Sequence, residues 1–186
     1  MKYIIDTSTW VSLVRYYKPF DFDSVIYKFF KYKIDKQEFI LLSEVSSECS
    51  FVAKKIVVEE LDYILSKDCI TKTSDILPSK KFYNLLENQF SNSFQRHQLE
   101  DYEIESLTND FIKSADARII MKAMNDIKLG GRTTVVTEET TATNDNKLFK
   151  KIPSICSALE IKCITLPDLI KIFDKELLIE IKNTSA

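Results

Sequence analysis

Acidic residues stand at four places in this chain where a buried strand ends or a helix begins. Asp6 closes the apolar run Tyr3-Ile4-Ile5 and is followed at once by Thr7-Ser8-Thr9-Trp10. Glu48 ends the stretch Ser43-Glu44-Val45-Ser46-Ser47-Glu48, just past Phe39-Ile40-Leu41-Leu42. Asp116 opens the helical pattern Ala115-Asp116-Ala117-Arg118-Ile119-Ile120, and Glu138-Glu139 follows Thr133-Thr134-Val135-Val136-Thr137. Open α/β sheets bind ligands outside the carboxyl ends of their strands. Carboxylates gathered there form an oxygen-only set suited to a hard divalent cation, Mg²⁺ or Mn²⁺.

Each acid also has an ordinary explanation. For Asp6 it is a helix N-cap, but Thr7, Ser8 or Thr9 could cap equally well. A charge at the end of a buried strand costs several kcal/mol unless it is paired or bound to a cation. Glu48 shares a helical face with Val45, Cys49 and Val52, so it should point inward. Glu44 fits the plainer role of an acid in a first helical turn. Glu59 and Glu60 lie too far along the helix to join the set. Asp116 extends the stripe of Ile119, Ile120 and Ala123 toward the helix N-terminus, where amides and dipole favour negative charge. Glu138 and Glu139 form the weakest member, because two glutamates after a strand make an ordinary loop.

Bulk composition narrows the classes. A chain of 186 residues, 45% hydrophobic and 29% charged, suits one folded domain with a substantial core. Its net charge of −2 gives no global field to attract nucleic acid, so any such contact needs local patches. Candidates are Lys147 with Lys150-Lys151, or Lys28, Lys31 and Lys33. Asp6 interrupts the one apolar run near the N-terminus, which argues against a signal peptide, and no run is long enough for a membrane span. The four cysteines form no CxxC pair, and Cys156 and Cys163 enclose six residues, which matches no common zinc spacing. They read as small hydrophobes in a reduced cytoplasm. His97 is the single histidine, so a two-histidine mechanism is excluded.

The elements that must position these acids alternate between strand and helix, which predicts an α/β fold with a parallel sheet. A strand over 3–6 leads into a helix with inner stripe Trp10, Leu13, Val14 and Tyr17, capped by Thr7 or Ser8 and ended by Pro19. A second helix carries Ile26, Phe29, Phe30 and Ile34. After the strand 39–42, a long helical stretch in two pieces runs to about residue 66. Residues 67–79 read as a polar loop. Two amphipathic helices follow, one with Phe82, Leu85, Leu86 and Phe90, the other with Leu99, Ile104, Leu107 and Phe111. The segment 67–112 is therefore expected to be a helical insertion within the single domain. The Asp116 helix ends at Gly130-Gly131, the strand 133–137 and a Thr/Asn/Asp-rich loop come next, and a helix near Pro153, a strand 161–164 and a helix from Pro167 complete the chain.

In this order the motifs resemble those of the PIN-domain nucleases along most of the chain. Ile5-Asp6-Thr7-Ser8 with Trp10 is similar to the family's first motif, and Ser43-Glu44-Val45 with Glu48 to the second. Ala115-Asp116 with Ile119-Ile120 resembles the third, and Val135-Val136-Thr137 with Glu139 the fourth. The stretch Val136–Glu139, with Ile152–Cys156 and Ile161–Cys163, resembles a little-characterised bacterial subgroup of stand-alone PIN proteins. The resemblance implies a three-layer α/β/α sandwich with a central parallel sheet. It also implies Mg²⁺- or Mn²⁺-dependent RNA cleavage through Asp6, Glu48, Asp116 and Glu139, supported by Thr7, Ser8 and Thr137. The best-known relatives are VapC-type toxins, which implies an antitoxin partner and a homodimer. Two departures stand out. Glu139 replaces the usual aspartate after threonine and one spacer, and the stretch between the second and third motifs is long. Two other readings compete: a catalytically inactive PIN fold that binds protein, and an aspartyl-phosphate phosphatase. The phosphatase would want an aspartate where Ser8 stands.

Overall fold

The computed structural model describes residues 1–141 and 147–177. The expected Thr/Asn/Asp-rich loop falls largely on 142–146, outside the described residues. Strand β1 (Lys2–Ile5) lies at the centre of a five-stranded, all-parallel sheet flanked by helices, a three-layer α/β/α sandwich. Its neighbours are β2 (Phe39–Leu42), with Tyr3 opposite Phe39, and β4 (Thr133–Val136), with Ile5 opposite Val136. The edges are β3 (Ile70–Thr71) beside β2 and β5 (Lys162–Ile164) beside β4, giving the order β3-β2-β1-β4-β5. Every residue of β2 and β4 is buried, as in parallel sheets covered on both faces.

Between these strands run helices close to those the periodicity predicts. Helix α1 (Thr7–Ser12) buries Trp10 and continues as a π-turn over Leu13–Tyr17, with Leu13 and Val14 buried and Tyr17 only partly so. Pro19 stops it in a short 3₁₀ turn. Helix α2 (Val25–Asp35) buries Ile26, Phe30 and Ile34. Phe30, the half-buried Phe29, Tyr3 and Phe173 all pack edge-on or tilted around Phe39, at centroid distances of 5.3–5.9 Å. The stretch after β2 breaks into α3 (Ser43–Cys49), a turn, α4 (Ile56–Glu60) and a 3₁₀ turn over Asp62–Leu65.

The segment expected as a helical insertion opens differently. Residues 67–79 are not all loop, because β3 lies inside them and completes the sheet edge. Two residues, Ile70 and Thr71, are too few for a period-2 pattern to register. The helical part is α5 (Lys80–Leu85) with a π-turn to Phe90, α6 (Ser93–Arg96) and α7 (Asp101–Lys113). Phe82, Leu85, Leu86 and Phe90 are buried as expected, but on α7 the buried residue is Ile112 and Leu107 faces solvent. Helix α8 (Ala115–Lys128) follows with only Ser114 between, and Gly130 takes the left-handed conformation (φ +81°) that ends it. Helices α9 (Ile152–Ala158) and α10 (Leu166–Ile172) bracket β5. None of the helices described is long and apolar enough to cross a membrane. Phe39→Ala removes the ring around which four aromatics pack and should cost about 3–5 kcal/mol in urea unfolding; a loss under about 1 kcal/mol would show that the cluster is not a core element.

Candidate active site

The chain passes from β1 to β2 in one direction and from β4 to β5 in the other, so the crevice between β1 and β4 is a topological switch point. Asp6 stands at its base. The Asp6 N–H donates to Val136 O at 2.9 Å, and the residue, still extended (φ −77°, ψ 158°), is the N-cap of α1. Its Oδ1 accepts from the Thr7 N–H at 2.7 Å. The cap is thus Asp6 itself, not Thr7 or Ser8, because the strand conformation ends one residue earlier than those positions require. The hydroxyls are used elsewhere. Ser8 Oγ and Thr137 Oγ1 donate to Asp6 Oδ2 at 2.6 and 2.8 Å. Each hydroxyl has a single hydrogen, so the 3.2 Å approach of Ser8 to Thr137 adds no further bond to these two.

The same hydroxyls fix the acids that follow β4. Thr137 Oγ1 accepts from the Glu139 N–H at 3.1 Å, and Ser8 Oγ accepts from the Glu138 N–H at 3.0 Å. The two glutamates then diverge. Glu139 Oε2 accepts from the Ile152 N–H at the start of α9, and Glu138 Oε1 accepts from the Leu166 N–H at the start of α10. On α3, Glu48 turns inward as its helical face predicts, and Thr7 Oγ1 donates to its Oε2 at 2.7 Å. Asp116 sits in the first turn of α8, whose cap is Ser114, with Oγ accepting from the Ala117 N–H at 3.3 Å. Asp6, Glu48, Asp116, Glu138 and Glu139 all line one cleft with Thr7 and Ser8. Glu44 is absent from it; that carboxylate accepts from Ser43 and Thr73 and lies 3.6 Å from Arg118 Nε.

Electrostatics mark this cleft as short of positive charge. Burial, then the charges of Asp6, Glu139 and Glu48, push the Asp116 carboxyl up to about 7. Glu48 and Glu139 are also raised, each chiefly by burial, although Thr7 and the Ile152 amide respectively pull them back. Cys49, beside Glu48, is pushed up to about 12 by burial and the nearby acids, so its thiol stays protonated and is no nucleophile. Acceptor capacity remains for a cation. Asp6 uses three of its roughly four acceptor positions, Glu48 accepts from Thr7 and the Ala115 amide, Glu139 accepts from the Ile152 amide, and Asp116 accepts no hydrogen bond from a described side chain. Among the described residues no three such side chains are drawn together tightly enough to enclose an ion unaided.

Of the basic patches expected from sequence, one stands beside the site. Lys147 acts on both Asp116 and Glu139, and Lys151 on Glu139, while Lys150 donates to Gln89 O. The other patch dissolves: Lys31 pairs with Asp35, and Lys33 is buried against Glu38 and Glu176. Two features of the cleft were not anticipated. Arg15, exposed on the π-turn after α1, is a lining residue, as are Val52 and Ala53. Ala53, Lys54 and Lys55 are consecutive left-handed residues (φ 49°, 57° and 66°), at about 1–2 kcal/mol each for non-glycine residues. His97 is exposed at the end of α6 and is not among the residues lining the cleft.

Fold and site together define an α/β protein with an acidic cleft at its sheet switch point. The chain belongs to the DUF4411 family, described as a domain of unknown function, which matches residues 3–176. No curated protein and no solved structure matches it.

The raised acids give the metal-free protein a definite pH dependence. A carboxyl at about 7 in the folded state and near 3.8 unfolded binds more protons when folded between those values. Stability from this group is therefore full below about pH 4 and is lost as pH rises toward 7, by a few kcal/mol at most. Urea unfolding in chelator at pH 4.5 to 7.5 should show that decline, and Asp116→Asn should flatten most of it. An identical slope in the variant would mean that Asp116 is not a strained acid.

Proposed function

We propose that this chain is a Mg²⁺- or Mn²⁺-dependent endoribonuclease of the PIN-domain type, the toxin of a toxin–antitoxin pair. The observation that carries the reading is the set of four carboxylates at the β1/β4 switch point, mutually repelling and with acceptor capacity to spare. Asp6, Glu48 and Asp116 would hold the cation, with Glu139 joining directly or through water. Bound there, Mg²⁺ or Mn²⁺ supplies positive charge against the phosphate and lowers the pKa of a water molecule.

The chain's own residues prepare that chemistry. Ser8 and Thr137 orient Asp6 by donating to one oxygen, and the Thr7 amide holds the other. Thr7 sets the rotamer of Glu48 from a different helix. Asp116, titrating near neutrality, can release its proton as the cation arrives. Glu139 is steadied by the Ile152 amide while its second oxygen faces no described donor. No histidine is required. A protein-binding PIN fold without activity is the second reading, favoured by exposed apolar side chains on or beside the helical segment, among them Leu77, Phe94 and Tyr102. Under the toxin reading the same side chains would meet an antitoxin or a second copy.

Purified protein should cleave RNA in Mg²⁺ or Mn²⁺ and not in chelator. Asp6→Asn or Asp116→Asn should lower the rate by more than about a hundredfold, beyond the 10–100-fold typical of outer-shell partners. Undiminished cleavage by both variants, or in chelator, would refute the metal mechanism. The two glutamates after β4 separate more finely. Glu139→Gln should slow cleavage about tenfold or more, equivalent to about 1.4 kcal/mol in barrier. Glu138→Gln keeps an acceptor for the Leu166 amide and should change the rate little; a larger loss there would exchange their roles.

A further inference from the structure

Five carboxylates line the cleft, yet a nucleic acid reaching it brings more negative charge, so something must hold the backbone against that repulsion. One flank already has Lys147 and Lys151 within electrostatic reach of Asp116 and Glu139. Further basic residues are carried by two irregular elements of the cleft. At Leu13–Tyr17 the helix widens into a π-turn, a feature frequent at functional sites, and this turn carries Arg15 exposed into the cleft. Beside it, the left-handed run Ala53–Lys55 places Ala53 on the cleft wall and leaves Lys54 and Lys55 exposed. Backbone of that kind persists only where the surroundings fix it, and it clusters at ligand clamps.

Arg15, Lys54 and Lys55 have no ion pair or hydrogen bond with any described side chain, unlike Lys18, Lys31, Lys33 and Lys122, which all find acids. Arg15 stands in the same cleft as five carboxylates and is paired with none of them. A guanidinium held in that way is available to an incoming phosphate, which it can grip with two parallel N–H bonds.

Resting on the nuclease reading above, we propose that Arg15, with Lys54 and Lys55 on the left-handed turn, forms the phosphate-gripping wall of the cleft. It holds the RNA backbone while the carboxylates keep the cation. Arg15 is thus a substrate-positioning residue with no part in holding the metal.

The test is fluorescence anisotropy with a short labelled single-stranded RNA, using the full chain carrying Asp116→Asn to prevent turnover, over a series of salt concentrations. Arg15→Glu and the double change Lys54→Glu/Lys55→Glu should each weaken binding by about tenfold or more. Arg15→Ala should reduce the slope of log affinity against log salt by about 0.7, the loss of one phosphate contact on a single strand. Arg15→Lys should recover part of the affinity, and Lys36→Glu, at the amino edge of the sheet, should match the parent. Thermal unfolding checks that each variant is folded, and Mn²⁺ titration of Arg15→Ala in the otherwise unchanged chain should show affinity no weaker than before. Equal RNA affinity for Arg15→Glu and Lys36→Glu would overturn the proposal, as would a parallel loss of Mn²⁺ affinity. A parent that binds no RNA would overturn it too. If the unmutated chain binds RNA through Arg15 but does not cleave it in Mg²⁺, the nuclease reading fails and the phosphate wall stands.

Discussion

One buried carboxylate organises this molecule. Asp6 is 4% exposed at the end of the central strand, where an uncompensated charge would cost several kcal/mol. Its compensation comes from three donors on two elements: the first amide and a hydroxyl of α1, and a hydroxyl just past β4. Those bonds do more than stabilise the charge. They fasten the start of α1 and the exit of β4 to one point, on either side of the switch crevice. Charge-assisted bonds are roughly twice as strong as neutral ones, which makes this the natural fixed point for the surrounding loops.

From that point the remaining acids are placed by short relays. Ser8 and Thr137 each donate to Asp6 and accept from a backbone amide, of Glu138 and Glu139 respectively, so orienting Asp6 also sets the loop behind β4. Thr7, next in sequence to Asp6, reaches across to Glu48 on α3. Glu138 and Glu139 then cap α10 and α9, which ties both peripheral helices to the same loop. Only Asp116 stands outside the relays. It reaches the cleft because α8 buries Ala117, Ile119 and Ile120 and is started cleanly by Ser114. With no hydrogen bond from a described side chain, it bears the repulsion of the others, and burial with those charges pushes its carboxyl up to about 7.

Much of this was legible in the residues. Asp6 stands out because an acid at the end of an apolar strand has few inexpensive roles, and Asp116 because it continues a stripe of isoleucines by one turn. The strands 3–6, 39–42 and 133–137 show as apolar or β-branched runs bounded by polar residues, and the helices between them by period. What stayed hidden has little pattern to show. Strand β3 is two residues long, and its edge position follows from pairing with Leu41 and Leu42 rather than from its own composition. The π-turn that displays Arg15 and the left-handed run at 53–55 depend on backbone geometry that Leu-Val-Arg and Ala-Lys-Lys do not announce. Sequence alone leaves the cap of α1 open among Asp6, Thr7, Ser8 and Thr9, since aspartate, threonine and serine all suit it, and the backbone selects Asp6. On α7 the helical stripe does not mark the inner face, because Leu107 fits the stripe yet is exposed.

The central claim is that the cleft at the β1/β4 switch point holds a divalent cation. Paramagnetic broadening by Mn²⁺ reads this directly, residue by residue, without reference to activity. On substoichiometric addition of Mn²⁺ to the isotope-labelled protein, the backbone amides of Thr7, Ser8, Ala117, Thr137 and Glu139 should fade first, and Mg²⁺ should restore them. Broadening centred on other residues, or spread evenly over the acidic surface, would contradict the account.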